Sequence, residues 1–337
     1  MFEFLNTLTC PKTALLQRFG STKPLGVDIG YESVKVAQLA ENGRGLSLVG
    51  CQSRQKPADI EGGSSTWQRW AIDALRELTR EGRFRGREVV AALPANEVHI
   101  EHLKMSRAKE LEQDAKKGCL CPDEKFQEAV FSRLKQKLTI SPDKMIIKYV
   151  AGENDNVVVI VVEREKIDRH LAIYEKSELS IRSIAVWPTA LISAYTGFFG
   201  RRKTDAAAVV MLLDIEPSMT KVVICRHRNL LFARSIPMGI RLGVSEEEMT
   251  RLVLELTACK RHFASTNKNG QIERLIFLSG EATEKEVCAK IARQLEMPAQ
   301  MGDCVAAVDG SSAAGTEINK ERLDVNWATA FGLSLTL

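Results

Sequence analysis

Two stretches of this sequence, far apart in the chain, repeat one another. The first reads Leu25-Gly26-Val27-Asp28-Ile29-Gly30-Tyr31-Glu32-Ser33-Val34-Lys35-Val36. The second reads Met211-Leu212-Leu213-Asp214-Ile215-Glu216-Pro217-Ser218-Met219-Thr220-Lys221-Val222. Asp-Ile and Lys-Val recur at the same internal spacing. Each copy predicts a strand, a tight turn and a second strand, with a third strand behind it at 46–49 and at 230–236. An amphipathic helix follows each. In the first, over about 66–79, Trp67, Trp70, Ala71, Ala74, Leu75 and Leu78 share one face. The second opens near Ser245 with Glu248 in capping-box spacing, and Met249, Leu252, Val253, Leu256 and Cys259 step by three and four. The repeat therefore predicts two α/β halves built by duplication.

Between them, about 96–180 carries a pattern of its own. It predicts a strand at 98–105, a helix at 123–138, strands at 145–150 and 157–162, and a helix at 164–177. That is enough for a small α+β domain inserted in the first half, with 181–186 returning to strand. The expected division is 1–95 for the start of the first half, 96–180 for the insertion, 181–200 for the return and 201–337 for the second half. Beyond the second helix, 272–278 reads as a buried strand ending in Ser279-Gly280. Thr283 and Glu286 then have capping-box spacing for a helix with Val287, Ile291 and Leu295 on one face. The stretch 309–316, with Gly310, Ser311, Ser312 and Gly315, is a loop by composition.

A length of 337 residues suits about two domains and a sizeable core. The formal charge of +4, with both signs mixed along the chain, excludes a nucleic-acid footprint. Most of the eight cysteines sit in apolar stretches, as reduced core residues do. Cys119 and Cys121 form the one close pair, with no second pair or histidine cluster to complete a zinc site. The five histidines have no metal or triad spacing. No run of about 18 apolar residues is present, so no membrane span is expected. The N-terminus lacks a basic start, and Phe2, Phe4, Leu5 and Leu8 stop at Pro11, so it is no signal peptide. Those four residues suit either a docking turn or a frayed end.

A strand ending in Asp before a glycine turn has the makings of a phosphate site. Turn N–H groups point at phosphate oxygens, and glycine lets the backbone approach. The Asp carboxylate suits a hydrated Mg²⁺. Asp28 and Asp214 are the metal candidates. Asp28, Gly30, Ser33, Lys35, Asp214, Thr220 and Gly280 are the cofactor-binding candidates, Gly280 as the turn opening a helix at the adenosine end. Lys35 and Lys221 either reach a phosphate or are solvated on an outer strand face.

Hairpin, long gap, hairpin, then strand-Ser-Gly-helix is similar to the layout of the actin–Hsp70–sugar-kinase superfamily. Within it the chain resembles the PilM family of type IV pilus assembly proteins over nearly its whole length. The resemblance lies in Leu25 to Gly30 with Ser33-Val34-Lys35, in Val89-Val90-Ala91-Ala92-Leu93-Pro94, and in Phe126-Gln127-Glu128-Ala129-Val130 with Ile140-Ser141-Pro142. It continues in Ile236-Pro237-Met238-Gly239 and Ala330-Phe331-Gly332-Leu333-Ser334-Leu335. The stretch 106–122 has no counterpart and reads as an insertion. The resemblance implies an actin-like, ribonuclease H-like duplicated α/β fold with an inserted α+β domain, and ATP with Mg²⁺ as cofactors. It implies a cytoplasmic protein at the inner-membrane face that binds the N-terminal peptide of an inner-membrane pilus assembly protein (PilN-like). The groove for that peptide would lie beside the inserted domain, where 98–105 and 145–150 are the candidate strands.

Two departures bear on the chemistry. Glu216 stands where the family's second phosphate turn has glycine, and like charges 4 Å apart repel by about 4 kcal/mol at an effective dielectric near 20. Glu281-Ala282 follow Gly280 where the family is richer in glycine. Hydrolysis is therefore expected to be weak or absent. Three other readings share the fold: an FtsA-like division protein, a GspL-like secretion platform and a small-molecule kinase. The first two would add an amphipathic or transmembrane helix that this sequence is not expected to carry. The third needs a catalytic Asp over a substrate hydroxyl, for which no segment stands out.

Overall fold

Each repeat folds into a meander because apolar runs flank a short polar turn. β1 (Ser21–Ile29), β2 (Ser33–Asn42) and β3 (Gly45–Gln55) are antiparallel neighbours. So are β9 (Val209–Ile215), β10 (Thr220–Arg226) and β11 (Asn229–Ile236). The computed structural model describes residues 21–43, 45–105, 122–135, 144–153, 155–241, 244–267, 270–280, 283–308 and 325–336. Strands β4 (Glu88–Ala92) and β8 (Ser180–Ala185) extend the first meander in parallel, giving the order β3-β2-β1-β4-β8. Strands β12 (Arg274–Phe277) and β13 (Ala299–Met301) extend the second, giving β11-β10-β9-β12-β13. The two sheets have one topology, with each repeated Asp on its central strand. This is the actin-like, ribonuclease H-like duplicated fold that the sequence resemblance implied. Central strands are covered on both faces, which is why β9 is buried throughout and shows no alternation.

Helix α1 (Ser65–Glu81) is capped by the Ser64 hydroxyl and buries Trp67, Ala71, Ala74, Leu75 and Leu78, as its periodicity predicted. Helix α5 (Glu246–Thr266) opens with the expected capping box, Ser245 and Glu248 each bonding the other's backbone N–H. The second expected box does not form. Helix α6 (Lys285–Gln294) starts one residue later, behind Glu284, with no side-chain cap. Thr283 and Glu286 therefore sit one step out of capping register, with Thr283 buried.

The small sheet has the order β5-β7-β6, from β5 (His99–Lys104), β6 (Met145–Ala151) and β7 (Asn156–Glu163). Strand β7 is apolar almost throughout because it serves two cores. Val157, Val159 and Val161 pack toward α2 (Pro122–Lys135), whereas Val158, Ile160 and Val162 join the core of the first half. Helix α3 (Arg164–Lys176) packs on α1 and leads into β8, the place that α6 takes in the second half. The stretch expected as an insertion, 96–180, thus ends in a helix seated on the first half. The expected features at Phe2, Phe4, Leu5 and Leu8, Cys119 and Cys121, 140–142, 281–282 and 309–316 lie outside the described residues, as does 106–122 but for Pro122.

Helices α4 (Trp187–Phe198) and α7 (Ala328–Leu335) lie between the two large sheets and pack on each other. Helix α4, from the first half, rests on β9, β10 and β11. Helix α7, from the second half, rests on β1, β2 and β4. One continuous core therefore contains residues of both halves. The crossing is close enough to demand glycine. A Cβ on Gly332 would lie 1.9 Å from the Ala190 carbonyl oxygen, and one on Gly26 would lie 1.9 Å from that of Ala330. Alanine is about 1 kcal/mol better than glycine inside a helix, but overpacking typically costs about 1–3 kcal/mol. The clashing atom is backbone and cannot swing away, so the upper end of that cost applies and Gly332→Ala is expected to lower the urea-unfolding free energy by about 2 kcal/mol. An unchanged or higher stability would show that the two helices can separate freely.

Candidate functional site

The seven-residue spacing within each repeat becomes a cross-strand pair. Asp28 faces Lys35 across β1–β2, and Asp214 faces Lys221 across β9–β10. None of the four is more than 6% exposed. Lys35 Nζ lies 3.7 Å from Asp28 Oδ2, and Lys221 Nζ lies 3.1 Å from Asp214 Oδ2. Neither lysine is solvated on an outer face, because a buried ammonium needs the carboxylate opposite it.

Glu216 joins the two pairs. Lys35 Nζ donates to Glu216 Oε1 at 2.8 Å, and Lys221 Nζ lies 3.3 Å from Glu216 Oε2. Lys35 belongs to the first half and Glu216 to the second. The chain Asp28–Lys35–Glu216–Lys221–Asp214 thus crosses between the halves, and the two hairpins face one cleft. At its far end Asn326 Nδ2 donates to Asp214 Oδ1, and Thr329 Oγ1 lies 3.4 Å from Oδ2. Asn326 precedes α7 and Thr329 lies within it, so the helix that ties the halves also holds this carboxylate. No local signal in the sequence marks either residue as a partner of Asp214, since the contact is set by where α7 lands.

Burial raises the Asp28 carboxyl above its ordinary value, with Lys35 and Lys221 offsetting part of the effect. Burial acts on Glu216 in the same direction, but Lys221 and Lys35 outweigh it and hold that carboxyl at about 2. Both lysines are held above their usual range. Burial alone would lower them, and the carboxylates around them more than compensate.

The other expected residues are placed as follows. The Gly30 N–H donates to the Ser33 carbonyl at 2.8 Å and closes the first turn, which fixes both residues there. The Thr220 hydroxyl donates to the Met238 carbonyl at 2.8 Å and is fully buried, so it braces β10 instead of facing the cleft. Gly280 takes a left-handed φ of +59° just beyond β12, the parallel neighbour of β9. It therefore lies at the same end of the sheet as Asp214. Further along, a groove of about 340 Å³ opens between the starts of α5 and α6, lined by Arg241, Ser245, Glu246, Thr283, Lys290 and Arg293 among others.

A second polar cluster braces the first turn, and the sequence did not reveal it. Tyr31 OH donates to Glu97 Oε1 at 2.8 Å, Arg169 Nη2 donates to the same oxygen at 2.5 Å, and His170 Nε2 lies 3.2 Å from Oε2. Trp67 packs edge-on against Tyr31 and His170, and its indole donates to the Gly30 carbonyl at 3.3 Å. Burial alone would raise the Glu97 carboxyl, but hydrogen bonds from His170 and Tyr31 with the Arg169 charge carry it below its ordinary value.

These residues do not fit a magnesium triphosphate as they stand. Three carboxylates meet two ammonium groups at the cleft, so the cluster already carries excess negative charge. The Glu216 carboxylate takes the lysine contacts that a phosphate oxygen would need, and Asp214 is held by three side chains. Among the described residues, no group of three or more His, Cys, Asp or Glu is arranged to hold a metal ion.

No family model and no curated protein matches this chain. The solved structures do. A chain of a PilM-PilN type IV pilus biogenesis complex superposes with a TM-score of 0.73 at 18% identity, covering 95% of this chain and 98% of that one. This chain shares that fold. The likeness to the PilM family thus extends from short motifs to the whole architecture. An ethanolamine utilization protein EutJ from Carboxydothermus hydrogenoformans is a more distant likeness, with a TM-score of 0.49 at 11% identity over 99% of this chain and 93% of that one. The cytoplasmic domain of EpsL, from the type II secretion system of Vibrio cholerae, gives 0.42 at 11% over 77% and 82%.

The depressed Glu216 carboxyl fixes a pH dependence. A carboxylate with a folded value of about 2 against an ordinary 4.5 adds stability that is present above pH 4.5 and lost as pH falls toward 2. The raised Asp28 carboxyl works in the opposite sense and dampens the trend. Between pH 5 and pH 3 on the order of 1–2 kcal/mol more stability should be lost by the natural protein than by Glu216→Gln. Parallel profiles from urea titrations at stepped pH would show that the lysines do not grip Glu216.

Proposed function

We propose that this chain is an actin-like adaptor of type IV pilus assembly, at the cytoplasmic face of the inner membrane. Its partner in this reading is the N-terminal peptide of an inner-membrane pilus assembly protein of the PilN kind. The observation that carries the reading is the fold likeness to the PilM-PilN chain over nearly the full length of both. Among the described residues no helix is long and apolar enough to cross a membrane, so attachment to the membrane is assigned to the partner.

The small sheet supplies a place for an extended peptide, which must pair its own backbone groups. Strand β5 is an edge as well, but it lies against β11 of the second half through its side chains. The Ala233 N–H of β11 donates to His102 Nε2 at 3.3 Å, and His102 stacks on Phe232. Strand β6 pairs with β7 alone among the described residues, which leaves its other edge for a partner. Of the two candidate strands at 98–105 and 145–150, the second is thus the one favoured for docking. Because the cleft residues do not fit magnesium triphosphate, ATP and Mg²⁺ have no part in the adaptor role proposed here.

Backbone N–H groups along a strand point alternately to its two sides. Of Lys148→Pro and Tyr149→Pro, one removes an outward donor and the other a bond to β7. We expect one of the two to keep its melting temperature near the natural value. That variant should lose at least about tenfold in affinity for a synthetic N-terminal peptide of the PilN-like partner, an effect of about 1.4 kcal/mol. Undiminished binding by the folded variant would move the docking site away from β6.

A further inference from the structure

Ligands that bridge the two halves of a hinged protein hold its cleft shut by contacting both sides. Here a side chain does so. On one side the junction of the halves is apolar, where α4 and α7 cross between the sheets within one core. The cleft side is ionic. Lys35 from the first half and Lys221 from the second converge on the two oxygens of one carboxylate, Glu216, at 2.8 and 3.3 Å. Both lysine side chains are at most 7% exposed, and that of Glu216 is 23% exposed. A second contact spans the same cleft. Arg241 Nη2 lies 3.7 Å from Glu32 Oε1 in the turn of the first hairpin, although both are too exposed for it to add much.

We propose that the Glu216 carboxylate is a built-in counter-ion that closes the cleft without a ligand, and that it hides a latent site for a polyphosphate anion between Lys35 and Lys221. Two convergent buried ammonium groups and a glycine turn at Gly30 are what an anion with bridging oxygens requires. The natural chain meets that requirement internally. Glu216 is tethered, so it acts at a local concentration that no free anion matches. It is already desolvated, and it adds repulsion to any phosphate that approaches. The halves are consequently held together whatever the nucleotide or phosphate concentration around them. Removing the carboxylate leaves two buried ammonium groups facing each other across the cleft, each with only the Asp of its own hairpin to balance it. Both the opening of the halves and the capture of an anion relieve that arrangement.

The test titrates inorganic pyrophosphate, and Mg-ATP separately, into the full chain by calorimetry. The natural protein should show no saturable binding up to millimolar concentrations. Glu216→Gly should bind pyrophosphate with a Kd at least about tenfold below that limit, and Lys35→Met placed in the Glu216→Gly background should abolish the gain. Glu216→Gln, which keeps the side-chain shape, is the companion where the glycine variant folds poorly, and it should gain in the same direction. Amide hydrogen exchange in the turns at Gly30 and Glu216 should rise at least about tenfold in either variant without ligand and fall again with pyrophosphate. Saturable binding by the natural protein that Lys35→Met removes overturns the proposal. So does a folded Glu216 variant that neither opens its turns nor gains an anion.

Discussion

Lys35 and Lys221 are buried at the junction of the two halves and cannot be left there unpaired. Taking one charge out of water costs several kcal/mol, and that loss is recovered only where opposite charges and hydrogen bonds surround it. Each lysine has the Asp of its own hairpin, but the third carboxylate comes from one hairpin only. Lys35 is therefore fully paired only when the second half is in place. The two sheets must therefore sit so that the hairpins present their charges to a single point. Breaking a buried pair by removing one partner typically costs about 3–5 kcal/mol, so the network tolerates little change at any member.

Away from the charges, the two halves are joined by exchange. Each sends a terminal helix to cover the other's sheet, and the backbones cross at Gly332 and Gly26 with no room for a methyl group. This gives the cleft a fixed floor. The small sheet is pinned on both sides of it. Glu97, Arg169 and Tyr31 bind its base to the turn of the first hairpin. On the other side His102 meets β11, Asn156 Nδ2 donates to Asn267 Oδ1 at 2.9 Å, and Arg226 pairs with Glu153. A partner docked on β6 would thus sit on an element that touches both halves. An adaptor that presents a constant surface is better served by a cleft held shut than by one that opens with each nucleotide.

The duplicated layout was legible because it is written in local patterns. The repeat of Asp-Ile and Lys-Val set the hairpins, the 3.6-residue stripes of α1 and α5 set the covering helices, and the Ser245–Glu248 box set where α5 begins. The cleft was legible in part. Asp28, Lys35, Asp214 and Lys221 were visible as a repeated spacing, and Glu216 as a departure from glycine. The role of Glu216 was not visible, because its nearest partner is far away in the chain. For the same reason Tyr31, Glu97 and His170 gave no sign of their cluster. Thr283 and Glu286 show the opposite error, since a valid capping spacing goes unused where α6 starts one residue later and Thr283 is buried.

The sequence by itself determined that there are two like halves, which strands lie at their centres, and that an acid and a base stand opposite each other on each hairpin. These are consequences of periodicity and of register, which act over a few residues. Tertiary structure alone decided what the acids and bases do. Whether Glu216 repels a phosphate or replaces one depends on the position of Lys35, and that position depends on how α4 and α7 pack between the sheets. Buried charges are governed by all the groups within a few ångströms, and sequence separation carries no information about that distance.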